Sequence, residues 1–315
     1  MTLHESTQGN SGIVNMGGTN SFTNTAVGNK AHMTVPPNGA EALGTRTAPG
    51  GGELRRNVGI VTILPAEMRA VLDELGLDRP HKKEGLFFST GDIPTDSGTA
   101  SVVATQTHGP GQRSVMAALD HMRHHFAPRL WVLVGIGGGI HHGHTRSEGP
   151  TRVGNVIVST RIVYYDARKI TAGDRVQRRG EERQAPARIV HAVNAYFTDR
   201  GEPAMIRGRA EGHRKRSFEV HHGLIGSGEA VIADSDSEVR HWLKDYNDKI
   251  LAVDMESGGL SQFWQENSVR EADNPGWLVV RGISDGADAE KNDDAHGLAA
   301  HNAAHVVREL LPYLL

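Results

Sequence analysis

Two apolar runs in the last third of the chain end on carboxylates: Leu251-Ala252-Val253-Asp254-Met255-Glu256-Ser257 and Val279-Val280-Arg281-Gly282-Ile283-Ser284-Asp285. A charged side chain leaving the end of a buried strand must find a partner, and strand ends in an α/β sheet are where ligands sit. Glu67, after Leu64-Pro65-Ala66 at another strand-to-helix junction, is a third such carboxylate. Each has a plain local role. Glu67 and Glu256 open helices, where a negative charge gains about 0.3–1 kcal/mol against the helix dipole, and Asp285 can cap or hydrogen-bond at its strand end. Three carboxylates at one sheet edge would repel one another unless they served distinct ligands or protons. Together they point to a site, with proton transfer and charge stabilisation as its chemistry.

Other chemistry is less well supplied. The turn Val134-Gly135-Ile136-Gly137-Gly138-Gly139 reads GxGGG rather than the dinucleotide pattern GxGxxG, and no P-loop Lys-Ser/Thr follows it, so no cofactor is called for. Its glycines predict close backbone approach to something flat or small, with Gly137 and Gly138 as binding candidates. His108-Gly109-Pro110-Gly111-Gln112-Arg113 precedes a helix and is either a tight βα turn or a cradle of N–H groups for an anion, with Arg113 beside it. His141, His142 and His144 invite a metal. They match no ligand spacing, and His301 and His305 lack the intervening glutamate of HExxH, so no metal is expected. The chain has no cysteine and no GxSxG elbow, which removes the usual covalent acyl nucleophiles and any disulfide.

The elements that position these residues follow from periodicity. Asn57–Leu64, Ala100–Gln106, Leu130–Ile136, Val153–Val163, Ile250–Val253 and Trp277–Ile283 are short β-branched runs bounded by turn residues, and are predicted as buried strands. Met68, Val71, Leu72 and Leu75 keep helical spacing, as do Val115, Leu119, Met122 and Phe126, and later Val306, Val307, Leu310 and Leu311. Strands and helices alternate, so the expectation is a three-layer αβα domain over 57–315. At 315 residues and 37% hydrophobic content the chain can build such a core.

Residues 1–35, rich in Gly, Asn, Ser and Thr, are expected to form a low-complexity arm, and the Pro- and Gly-loaded stretch 36–56 a flexible linker. Between Arg161 and Arg216, Lys and Arg outnumber Asp and Glu two to one, which reads as a solvated insertion with basic helices at about 166–222, or as a cover supplying cations to an anionic ligand. The net charge of −3 argues against a general nucleic-acid binder. The absence of a long apolar run or a signal pattern gives an expectation of a cytoplasmic protein without membrane partners.

VGIVTILPAE, VLVGIGGG, VGNVIVSTRIVYYD, GLIGSGEAVI, VDMES and GISDGAD occur in an order that resembles the nucleoside phosphorylase and methylthioadenosine/adenosylhomocysteine nucleosidase superfamily. The resemblance covers about Val58 to the C-terminus. It implies a three-layer α/β fold with a central mixed, partly barrel-like sheet, breakage of a purine N-ribosyl bond, and a homodimer or higher homo-oligomer. Position by position it implies that Glu67 activates the attacking water and that Met255 and Glu256 grip the ribose. Asp285 would protonate the purine leaving group, with Ser284 as its positioning neighbour.

Departures from the family pattern choose among branches. Phosphorylases resemble Arg-Xaa-Gly-Thr where this chain has Val-Gly-Ile-Gly, so the phosphate-clamping arginine is missing at Ile136 and water is the expected nucleophile. Where the methylthioadenosine nucleosidases place an aromatic ring against the base, this chain offers Val231 or Ile232. ISDGADAEKNDDAHGLAAHNAA resembles phosphorylase-type domains attached to immune receptors, and the arm resembles N-terminal segments of bacterial conflict-system proteins. That likeness implies release of adenine from ATP or a related nucleotide in antiphage defence. Arg168, Lys169, Arg175, Arg178 and Arg179 are then the candidates to meet its phosphates, in a partner's site. The alternatives are a methylthioadenosine/adenosylhomocysteine nucleosidase, a purine nucleoside phosphorylase, or a nucleotide sensor or scaffold that assembles through its arm.

Overall fold

A computed structural model describes residues 57–315 except 97, 141–149, 174, 212–213, 235, 269–275 and 288–294. The expected arm, the linker and His141, His142 and His144 lie outside the described residues. The described residues open on β1 (Val58–Thr62), α1 (Pro65–Leu75), β2 (Arg79–Lys83), β3 (Leu86–Thr95), β4 (Gly98–Gln106), α2 (Gln112–Phe126) and β5 (Leu130–Gly139). There follow β6 (Val156–Ser159), β7 (Arg161–Tyr164), β8 (Arg168–Thr171), β9 (Arg175–Arg178), β10 (Glu181–Gln184), α3 (Ala187–Arg200), β11 (Ala204–Glu211), β12 (Arg214–His222) and β13 (Leu224–Ser227). The last part holds α4 (Glu238–Tyr246), β14 (Ile250–Asp254), α5 (Ser257–Asn267), β15 (Gly276–Asp285) and α6 (His296–Leu314).

β1 is buried along its whole length and lies parallel between β4 and β5. A strand covered on both faces gains from apolar residues at every position, and this is why the run is continuous rather than alternating. β5 is the hub. Leu130 to Leu133 pair with β1, Leu130 to Gly138 with β15, and its last two glycines with β14. β15 continues to β6, β7 to β13, and β13 to β14, which returns to β5. Only Thr160 separates β6 from β7, so the strands close a circuit and form the barrel-like part of a mixed sheet.

The predicted single strand Val153–Val163 is thus two. Ser159 makes the corner: its hydroxyl donates to the Arg161 carbonyl at 2.6 Å and accepts from the Arg161 N–H at 3.3 Å. A small hydroxyl residue can serve its own backbone at such a bend. The basic stretch also differs from its expectation of helices. Among the described residues only α3 is helical there, while β10 extends the sheet beside β7 and the β11–β12 pair joins β6. Ala204, Ile206, Phe218 and Val220 are buried on strands whose alternate residues carry the charge or face outward. Among the described strands, the hairpin β8–β9 alone stands outside the main sheet.

α1 packs on α6 and α6 on α3, while α2 packs on α5, giving two groups of helices that flank the sheet. Gly282 sets the approach of α6: a Cβ there would lie 2.0 Å from the Ala299 carbonyl oxygen. The histidines set aside as metal ligands join α6 to α1, His301 at 3.7 Å from Asp73 and His305 at 3.2 Å from Glu74. The Glu74 hydrogen bond raises the His305 pKa above its ordinary 6.5, against the lowering effect of burial. A raised folded pKa gives stability that is complete below the unfolded value and is lost as pH rises through the folded one. His305→Gln is therefore expected to lower stability by up to about 1 kcal/mol at pH ~6 and by much less at pH ~9, read from denaturant midpoints at the two pH values. Among the described residues no helix is long and apolar enough to cross a membrane.

Candidate active site

Glu67 stands at the third position of α1, after Leu64 as the cap residue and Pro65 in the first turn. Its Oε2 accepts from the Ile63 and Leu64 N–H groups at 2.7 and 2.8 Å, the reverse arm of a capping box. Its Oε1 accepts from the Ile136 N–H at 2.8 Å, which ties α1 to β5. A carboxylate offers about four acceptor positions, so three backbone donors hold the group still and leave room for one more proton donor. Gly135 is required here. A Cβ on it would lie 2.4 Å from Glu67 Oε1 and 2.6 Å from Arg281 Nη1.

The second carboxylate is freed from capping by its neighbour. Asp254 ends β14, and its Oδ1 accepts from the Glu256 and Ser257 N–H groups at 3.2 and 3.1 Å, while the Ser257 hydroxyl donates to Oδ2. Asp254 is thus the residue that caps α5. Glu256 turns instead toward the cavity, where Oε1 accepts from the Gly111 N–H at 3.0 Å and Oε2 from Arg281 Nη2 at 3.0 Å. The anion facing the HGPGQR turn is therefore Glu256 itself. Burial raises the Glu256 pKa above the ordinary carboxylate value; Arg281 opposes that shift and Asp254 adds to it.

Arg281 is fully buried and bridges the two acids, with Nε 2.9 Å and Nη2 2.8 Å from Asp254 Oδ2. Its Nη1 has no hydrogen-bond partner among the described residues and lies beside Gly135 on the Glu67 side. The guanidinium thus balances the charge of carboxylates from β14, α5 and α1. Asp254 and Arg281 were not singled out from the sequence as site residues. The signal was present in Trp277–Ile283, where one arginine interrupts a run that is otherwise apolar or glycine, since a charge in a buried strand requires a partner.

Asp285 reaches the cavity through a bulge. Ile283 pairs with Gly137 and Asp285 with Gly138, so Ser284 is an extra residue on β15. A bulge bends the strand and re-aims its side chains. The Ser284 hydroxyl donates to Asp285 Oδ2 at 2.8 Å, and the Ala287 N–H donates to Oδ1 at 2.8 Å.

Glu67, Glu256 and Asp285, separated by up to two-thirds of the chain, line one cavity of about 240 Å³. Gly137, Gly138, Met255, Ser284, Val231 and Ile232 line it too. Gly138 sits where a Cβ would be 2.7 Å from the Ala287 Cβ and 3.2 Å from Asp285 Oδ1, so the backbone itself forms the wall. Tyr165, buried, lines the floor and donates to the Ala230 carbonyl at 3.4 Å, holding the segment that carries Val231 and Ile232. Burial raises the Tyr165 pKa far above its ordinary value, so the hydroxyl stays a donor.

The cations proposed for phosphate are elsewhere. Arg113 is exposed and lines a second cleft between α2 and β3. Arg168 and Lys169 are exposed on β8, Arg179 is exposed just after β9, and Arg175 opens β9. The Arg178 side chain is nearly buried between Asp166 at 3.6 Å and Glu238 at 3.8 Å, and donates to the Tyr165 carbonyl at 3.4 Å. Among the described residues that line the cavity, none is a lysine or arginine.

The sequence model described as the phosphorylase superfamily matches residues 57–312. The ATP nucleosidase Cap17 of Escherichia coli (strain KTE188) is 24% identical over 270 residues, covering 81% of this chain and 50% of that protein. The chain therefore spans about half the length of that relative. A 5'-methylthioadenosine/S-adenosylhomocysteine nucleosidase of Mycobacterium bovis is 23% identical over 280 residues, covering 82% of this chain and 97% of that protein. The crystal structure of the nucleosidase of the same name from Neisseria meningitidis, in complex with methylthio-immucillin-A, superposes with a TM-score of 0.60 at 18% identity, covering 81% of this chain and 98% of that one.

Proposed function

The chain belongs to the phosphorylase superfamily, and from that membership we propose that it is a purine N-glycosidase that uses water and releases adenine from ATP or a related nucleotide. The observation that carries the reading is the meeting of Glu67, Glu256 and Asp285 in one cavity, with Glu256 paired to the buried Arg281. In the reaction, Glu67 takes a proton from water and the hydroxide bonds to the anomeric carbon. The bond from that carbon to the purine nitrogen breaks with its electron pair going to the base, and Asp285 delivers a proton so that adenine leaves neutral. The transition state is an oxocarbenium ion, which carboxylates beside the sugar stabilise. Glu256 accepts hydrogen bonds from the ribose hydroxyls with Met255 against the sugar, Ser284 holds Asp285 in place, and Gly137, Gly138, Val231 and Ile232 shape the base pocket.

The nucleotide preference rests on likeness to the Cap17 protein and on the basic hairpin. The cavity lining carries no lysine or arginine among the described residues, and this reading assigns the cations for a triphosphate to the β8–β9 hairpin of a second copy, in a homodimer or larger homo-oligomer. The resemblance of the Ser-Asp segment to immune-receptor phosphorylase-type domains, and of the arm to conflict-system proteins, supports a role in cytoplasmic antiphage defence. Reversing two exposed charges, Arg168→Glu with Lys169→Glu, is expected to raise KM for ATP by about ten-fold or more and to leave adenosine hydrolysis unchanged. Equal effects on both substrates, or none on either, would remove the hairpin from the phosphate site.

The lack of lysine and arginine among the described lining residues supports a second reading, a nucleosidase for methylthioadenosine or adenosylhomocysteine, as does the near-complete span of the Mycobacterium relative. Chromatography of reactions with ATP, AMP, adenosine and methylthioadenosine separates the two. Adenine released from ATP in preference to methylthioadenosine supports the nucleotide reading, and methylthioadenosine as sole substrate replaces it with the second.

A further inference from the structure

Arg240, on the first turn of α4, is 3% exposed although nothing in the reaction above uses it. Its Nη1 donates to the Gly286 carbonyl at 2.6 Å and to the Ala287 carbonyl at 3.1 Å. The Gly286 C=O belongs to the same peptide unit as the Ala287 N–H, and that N–H donates to Asp285 Oδ1 at 2.8 Å. A buried cation is therefore joined to the site carboxylate through one peptide plane. A charge on the carbonyl side draws electron density toward the oxygen and makes the N–H a stronger donor, as in any chain of hydrogen bonds.

The backbone is held for this purpose. Ala287 has φ +50°, in the left-handed region that a residue with a Cβ seldom occupies and that costs on the order of 1 kcal/mol. The residue is nearly buried and lies against Gly138, where a Cβ would be 2.7 Å from its own. Arg240 is in turn fixed by its helix start, since the Ser237 hydroxyl accepts from the Arg240 N–H at 3.4 Å. α4 belongs to a separate small core with Tyr165 and Val163, so the contact carries the position of that core to the strand end that bears Asp285.

We propose that Arg240 is a positioning residue for the proton donor of the reaction: through the Gly286–Ala287 peptide it fixes and polarises the N–H that holds Asp285. This rests on the reading of Asp285 as the acid. Its effect should be confined to the step in which the base receives a proton. A leaving group that departs without a proton should be insensitive to it, because general acid assistance matters only where the leaving anion is poor.

The test compares adenine release from ATP with cleavage of p-nitrophenyl riboside, whose phenolate leaves unprotonated. Arg240→Met is expected to lower kcat on ATP by about 10- to 100-fold with KM little changed, and to lower p-nitrophenyl riboside cleavage at least ten-fold less. Arg240→Lys, which keeps the charge with fewer donors, should fall between and serves if the Met variant does not fold. Asp285→Asn must show the same selectivity. If it does and the Arg240 variants lose equally on both substrates, or lose nothing, the relay is overturned. If Asp285→Asn is itself unselective, the reading of the acid fails, and hydrogen exchange decides the relay separately. Faster exchange of the Ala287 amide in the Arg240 variant than in wild type then upholds the contact, and unchanged exchange overturns it.

Discussion

Glu67→Gln should lower kcat for base release by about 10²- to 10⁴-fold while substrate still binds. The amide keeps the size of the carboxylate but cannot take a proton from water. It also cannot satisfy its surroundings, because donors come to both oxygens, from Ile63 and Leu64 on one side and Ile136 on the other. An amide nitrogen on either side faces an N–H. Glu67→Asp separates the two effects: it keeps the base but withdraws it by one methylene, so some activity should return. Glu256→Gln should act differently, raising KM more than it lowers kcat, because its carboxylate is assigned to the ribose in both ground and transition states. Since burial raises the Glu256 pKa, the fall in ribose affinity at low pH should begin above the pH at which an ordinary glutamate gains its proton. A Glu67→Gln enzyme within about three-fold of wild type would remove Glu67 from the chemistry.

Arg281→Met should destabilise the domain by about 3–5 kcal/mol near neutral pH, because it leaves Asp254 and Glu256 buried without their counter-charge. For a domain of this size that is roughly a 10 °C fall in Tm. The loss should depend on pH in a definite direction. Buried acids without a cation have folded pKa values above their unfolded ones, so the folded state binds more protons between the two. Stability then falls as pH rises through that window and recovers as pH drops toward the unfolded carboxylate values. Thermal melts of wild type and variant at pH ~5 and ~8 measure this. A difference that is constant with pH would mean that Arg281 matters for packing and not for charge.

Much of the fold was legible because strands buried on both faces announce themselves as unbroken apolar runs. β1, β4, β5 and β15 lie where those runs predict them. The corner at Thr160 was not legible, since Ser159 and Thr160 are ordinary strand residues and the bend depends on a hydroxyl satisfying its own backbone. In the basic stretch composition hid periodicity. Charge counts suggested solvated helices, whereas Ala204 and Ile206, and Phe218 and Val220, already alternate as strands do.

At the site, Glu67, Glu256 and Asp285 could be picked out because each follows an apolar run, and the structure brings all three to one cavity. Residues that act through them were harder to see. Asp254 looks like any strand end until α5 is known to need a cap, and Arg240 is one basic residue on a polar helix whose partners are two carbonyls 46 and 47 residues away. The phosphate candidates show the limit of reading charge alone. Arg178 already has Asp166 and Glu238 beside it, and the exposed members of the set do not line the cavity of their own chain.

In the proposed reaction water, activated by Glu67, displaces a purine base that Asp285 protonates. The most direct measurement is the reaction of the full chain with ATP in buffer free of phosphate, followed by chromatography for adenine and phosphorus NMR for the sugar product, alongside Glu67→Gln and Asp285→Asn. Adenine and ribose triphosphate are expected in equal amounts from the wild type, with no acceleration by added phosphate, and both products should be lost in the two variants. Base release only when phosphate is added, with a sugar 1-phosphate as product, or release that persists in both variants, would contradict it.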